Sequence, residues 1–94
     1  MTLLPPPQYD VPPHRPVIEH VLPWTEVQKV CFAIVYKWNG VTAANAGRVR
    51  GWNGCSGISK DNNVCYVWRI ADDNVRRHEL AHCAGWPGDH PGGR

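Results

Sequence analysis

DDNVRRHELAHCAGWPGDH, residues 72–90, decides how this chain is read. Asp72, Asp73 and Asn74 are helix N-cap types, and Gly85 with Pro87 supplies the matching stop, so the segment predicts a helix of about three turns. At helical periodicity His78 and His82 project from one face, about 40° apart round the axis, and their imidazoles can converge on one ion. Glu79 lies about 100° further round, near enough to reach water on such an ion without itself being a ligand. On the wheel Val75, His78, Glu79 and His82 share a face, Ala81 and Ala84 lie opposite, and Leu80 and Cys83 fall between. With this chain's His and Glu content an accidental HExxH arises on the order of once per hundred such sequences, so the motif is informative, and its caps add weight.

His78, Glu79 and His82 resemble the HExxH motif of the zincin metallopeptidases. That resemblance implies that the two histidines bind Zn2+, that Glu79 is the general base and that the substrate is a peptide or protein. The extension HxxG, His82 to Gly85, is similar to the snapalysin and metzincin branches, where the glycine turns the chain toward a third ligand, His or Asp, six residues past the second histidine. Gly88 stands at that position here, and Asp89 and His90 follow it within a turn lengthened by Pro87 and Gly88. Both are candidate third ligands. His90 is preferred because it completes a three-histidine set common in open catalytic sites, leaving Asp89 a supporting or capping role. The only methionine is Met1, whereas metzincins carry a methionine turn beneath the metal. The standard gluzincin ligand has no counterpart, because no acidic residue follows His90. The resemblance covers residues 72–91.

The expected chemistry is peptide hydrolysis, with Glu79 taking a proton from the attacking water and returning it to the leaving amine. The same chemistry would serve a peptidoglycan amide. Tyr66 and Tyr36 are candidate second electrophiles, and Trp86, between the helix and the third ligand, is a candidate wall of a substrate pocket. The competing reading is a non-catalytic binding or inhibitor module with a structural zinc site, which predicts four protein ligands and indifference to Glu79. An accidental motif without metal is the third.

Ninety-four residues with 43% hydrophobic content form one small domain that needs staples beyond its core. A metal is one. Cys31, Cys55, Cys65 and Cys83 are the others, as an even cysteine count in a short chain suggests two disulfides and an exported or extracytoplasmic setting. Cys55 with Cys65, closing a hairpin, and Cys31 with Cys83, tying two helices, is the expected pairing. Residues 1–10 lack the charged and apolar regions of a signal peptide, and no stretch reaches the roughly 20 apolar residues that span a bilayer. A net charge of +2 is too mild to imply nucleic acid, and Arg48 and Arg50 near Trp52, like the Arg76–Arg77 pair, read as solvated surface.

Residues 1–23 hold seven of the nine prolines and predict an extended arm, which is a linker or a strap across the domain, a site for a partner, or an inhibitory segment near the active site, with His14 and His20 as surface residues. Residues 24–94 form the folded domain. In it, apolar spacing predicts a helix over 25–38 with Thr25 as N-cap and Val27, Val30, Cys31, Ile34 and Val35 inward. A loop follows, with a short strand around Arg48 to Trp52. Residues 54–71 read as a hairpin whose second strand presents Cys65, Val67 and Arg69 on one face, and whose edge would hold an extended substrate. The fold class is therefore α+β: an N-terminal helix, a small sheet and a metal-binding helix.

Overall fold

A computed structural model describes residues 2–39 and 51–94, the side chains of 35–39 excepted. The expected strand around Arg48 to Trp52 falls largely outside these residues, as do Arg48, Arg50 and the Tyr36 side chain. The fold is α+β, with two helices and a three-stranded sheet among the described residues. The elements run β1 (Val17–Val21), α1 (Trp24–Asn39), β2 (Gly54–Ile58), β3 (Cys65–Arg69) and α2 (Asp73–Cys83).

The strand order is β1-β3-β2. β2 and β3 form the antiparallel hairpin that the turn residues between them require, with Gly57 opposite Tyr66 and Cys55 opposite Trp68. β1 is the departure. It comes from the proline-rich arm and lies parallel to β3, pairing Val17 with Cys65 and Glu19 with Val67. Its residues follow the last proline of the PPxxP run, so their backbone N–H groups are free to enter a ladder. β3 is consequently central, and the free edges among the described strands belong to β1 and β2, not to β3 as the hairpin alone suggested.

Alternation along β3 sorts the core into two sides. Cys65 and Val67 face α2 and meet Cys83, with Val17 against them. On the other side Cys55 meets Val27 and Cys31 of α1, together with Leu22, Trp52, Trp68 and Ile70. A disulfide sits in each cluster. The bonds are Cys31–Cys55 and Cys65–Cys83, which corrects both expected pairings. Cys55 lies opposite Trp68, three residues along from Cys65, and the two side chains leave opposite faces of the sheet, so a hairpin bond between them is geometrically closed off. Cys31 and Cys83 lie on helices separated by the sheet.

α1 begins one residue earlier than its sequence suggests. The Pro23 carbonyl accepts from the amides of Glu26 and Val27 at 3.0 and 3.1 Å, so Pro23 occupies the cap position and Thr25 lies within the first turn. α2 starts as read, with Asp72 accepting from the amides of Asn74 and Val75 at 2.8 and 3.2 Å. Gly54 makes its close approach to β2 possible: a Cβ there would lie 3.0 Å from Val75 Cγ1.

Candidate metal centre

The helix geometry brings His78 and His82 to one face, and the chain beyond α2 returns to supply His90. α2 ends in a paired turn: the Trp86 amide donates to Ala81 O at 3.0 Å and the Gly85 amide to His82 O at 3.1 Å, with Gly85 at φ 108°. This is the glycine-terminated reversal that an L side chain disfavours. A second turn follows, closed by the His90 amide donating to Pro87 O at 3.0 Å, and His90 itself sits at φ 59°. Two reversals within six residues aim the His90 ring at the helix.

The three rings meet at their Nε2 atoms. His82 Nε2 lies 3.2 Å from His78 Nε2 and 3.1 Å from His90 Nε2. The ligand atoms of all three lie within 4.8 Å of one another, so the set could hold a metal ion. Asp89 is exposed and is not a member.

The hydrogen bonds determine which nitrogen carries the proton. His82 Nδ1 faces the Trp86 carbonyl at 2.8 Å and His78 Nδ1 faces the Leu3 carbonyl. A carbonyl only accepts, so both Nδ1 atoms are N–H and both neutral rings turn an Nε2 lone pair inward. Burial keeps them neutral: it pulls His82 down to about 4, with the neighbouring His78 and His90 acting the same way against the Trp86 bond. Burial likewise lowers His78, opposed by the Leu3 bond. Lone pairs facing each other at this distance repel unless a cation lies between them. Three nitrogens bound at about 2.0–2.1 Å in a tetrahedral arrangement would be roughly 3.3–3.4 Å apart, close to the observed spacing.

Glu79 lies beside this set, with Oε2 3.9 Å from His78 Nε2. It is buried, and burial raises its carboxyl to about 7 against the opposing hydrogen bond from Ser56. Ser56 Oγ–H donates to Oε1 at 3.0 Å from β2. The imidazoles and Glu79 form one wall of an open cleft of about 480 Å³, completed by Trp52, Gly54, Ser56, Ile58 and Gly88. A larger hollow of about 590 Å³ lies on the other flank of α2, against Tyr9, Val17 and Leu80, and contains none of these groups.

Trp86 takes a different place from the one expected. It is 2% exposed and lies against the imidazoles, stacked on His82 with ring centroids 5.0 Å apart and edge-on to His78 and His90. Trp52 is the tryptophan that lines the cleft. Tyr66 leaves the α1 side of the sheet, away from Glu79, where its hydroxyl lies 3.4 Å from Asn62 Nδ2. Ser56 and the Leu3 and Trp86 carbonyls are groups the sequence reading missed. No local pattern marks them, because each is brought in by pairing or a turn rather than by spacing along α2.

Comparison with protein-family models, with curated proteins and with solved structures finds no match to this chain. Among the described residues no helix is long and apolar enough to cross a membrane, and the two disulfides are compatible with an extracytoplasmic setting.

Proposed function

We propose that this protein is a zinc-dependent peptidase in which His78, His82 and His90 hold the metal and Glu79 is the general base. The observation that carries this reading is the convergence of three imidazole Nε2 atoms beside a buried carboxyl group in an open cleft. An all-nitrogen set of three favours zinc over calcium or magnesium, which prefer oxygen. Zinc bound there would supply a Lewis acid that acidifies water and polarises a carbonyl.

Glu79 then does the proton work. Its carboxylate, steadied by Ser56, takes the proton of the attacking water, and a base titrating near neutrality can return that proton to the leaving nitrogen. The exposed edge of β2 runs along the cleft and offers backbone hydrogen bonds to an extended chain, in the role the sequence had assigned to β3. Trp52 and Ile58 give that edge an apolar border.

A purely structural zinc site calls for a fourth protein ligand. Among the described residues none joins the three histidines, and all four cysteines are engaged in disulfides. The catalytic reading is therefore preferred to the binding or inhibitor module. The test is zinc content by elemental mass spectrometry combined with hydrolysis of a peptide library. About one zinc per chain is expected in the wild type and in Glu79→Gln, with activity lost by roughly 10²–10⁴-fold in the variant. A wild type that takes up no zinc, or a Glu79→Gln protein of full activity, would sink the reading.

A further inference from the structure

Two segments far apart in sequence meet behind the His cluster. Leu4 N–H donates to Arg94 O at 2.9 Å, and Arg94 N–H donates to Leu4 O at 2.8 Å, a reciprocal pair like one rung of an antiparallel ladder. The Arg94 guanidinium adds two hydrogen bonds to Pro5 O, at 2.8 and 3.3 Å. Glycine makes the approach possible. A Cβ on Gly93 would fall 2.5 Å from Leu3 Cδ2, 2.7 Å from Leu3 Cγ and 3.2 Å from His90 O, and one on Gly92 would meet the Pro6 ring at 3.3 Å. Pro5 and Pro6 are buried at this junction.

Each segment also reaches the metal centre. The first carries the Leu3 carbonyl that fixes the His78 proton on Nδ1. The second is tied to the His90 turn, because the Gly93 amide donates to His90 O at 3.1 Å and Trp86 Nε1 donates to Pro91 O at 2.9 Å. Separating the segments would therefore withdraw the acceptor that orients one histidine and loosen the turn that presents another.

We propose that segments 3–6 and 92–94 form a clasp that positions the metal ligands, with Leu3, Gly93 and Arg94 as positioning residues for His78 and His90. This inference rests on the metal-binding reading of the three histidines. It gives the first residues of the proline-rich arm a role at the site itself rather than that of a linker. Ligand-orienting hydrogen bonds commonly govern metal affinity by about 10–100-fold, because a ring left free must be oriented when the ion binds.

The test compares wild type, Gly93→Ala, Arg94→Ala, Leu3→Ala and the Leu3→Ala/Gly93→Ala pair. Zinc affinity is measured by competition with a chromogenic chelator, and the His78 tautomer in the metal-free protein by long-range nitrogen–proton NMR. Gly93→Ala wedges the segments apart, so affinity should fall by about tenfold or more and the His78 Nδ1–H signature should be lost. Arg94→Ala should act in the same direction. In the double variant Leu3→Ala keeps the carbonyl and removes the atoms nearest the new methyl, so affinity should recover most of the way toward that of the Leu3→Ala protein, which serves as its reference. Unchanged affinity in both Gly93→Ala and Arg94→Ala, or no rescue in the double variant, would overturn the clasp. A wild type without zinc affinity would overturn the metal reading instead, and the tautomer would still report whether the segments hold His78.

Discussion

Removing the two disulfides one at a time separates what stabilises the fold from what organises the site. Cys31–Cys55 spans 24 residues and Cys65–Cys83 spans 18, and both lie in buried clusters. Loop-closure entropy for rings of this size is worth about 3 kcal/mol each, with little difference between them because the dependence on length is logarithmic. Against a total of roughly 5–14 kcal/mol for a domain of this length, either loss is large. At about 4–8 °C per kcal/mol for a domain of this size, each Cys→Ala pair should lower the melting midpoint by about 12–24 °C. If the three histidines hold zinc as proposed, the two should part company over its binding. Cys83 adjoins His82 on α2 and is bonded to β3 at the cleft floor, so Cys65→Ala/Cys83→Ala should also weaken zinc binding, by about tenfold or more. Cys31→Ala/Cys55→Ala loosens α1 on the other side of the sheet and should leave zinc affinity near that of the wild type. Calorimetry of the metal-free proteins and chelator competition on the same samples measure both effects. Equal loss of zinc affinity in the two variants, or a loss confined to Cys31→Ala/Cys55→Ala, would refute the assignment of separate roles to the two sides of the sheet.

Three further perturbations probe the framework. Glu19 loses solvation in the fold, but hydrogen bonds from Arg76 and Arg69 outweigh that loss and hold its carboxyl below the ordinary 4.5. Its folded pKa is therefore the lower one, so its stabilisation is present above the unfolded value and fades as pH drops through the folded value. Glu19→Gln should flatten the acid side of a plot of melting midpoint against pH, and parallel curves for variant and wild type would contradict the assignment. Gly54→Ala introduces a Cβ 3.0 Å from Val75 Cγ1, 3.1 Å from Trp68 O and 3.2 Å from Arg69 Cβ. Forcing β2 and α2 apart should cost about 1–3 kcal/mol in urea unfolding. Asp72→Ala removes the acceptor for two helix amides and should cost about 1 kcal/mol, whereas no measurable change would show α2 indifferent to its cap.

Local rules read most of the elements. Both helices, the hairpin and the α2 caps follow from periodicity, turn chemistry and capping, because those signals act over a few residues and tertiary contacts reinforce them here. β1 escaped this reading. Val17–Val21 alternates weakly and sits among prolines, and what makes it a strand is the unpaired edge of β3, which lies 48 residues further along at the first register pair. The disulfide pairing escaped for a related reason. Cysteine spacing does not reveal which face of a strand a side chain leaves, and the β2–β3 register sends Cys55 and Cys65 to opposite sides.

The site divides along the same line. Within α2, spacing alone determined that His78 and His82 share a face and that Glu79 lies beside them, since one helix imposes that geometry on any sequence that forms it. Tertiary structure decided the rest: that His90 and not Asp89 turns inward, that Trp86 lies beneath the rings, that Ser56 reaches Glu79 and that the Leu3 carbonyl reaches His78. Each of those depends on where a turn, a strand register or a distant segment comes to rest. Such positions are set by packing across the whole domain, and no stretch of residues carries them alone.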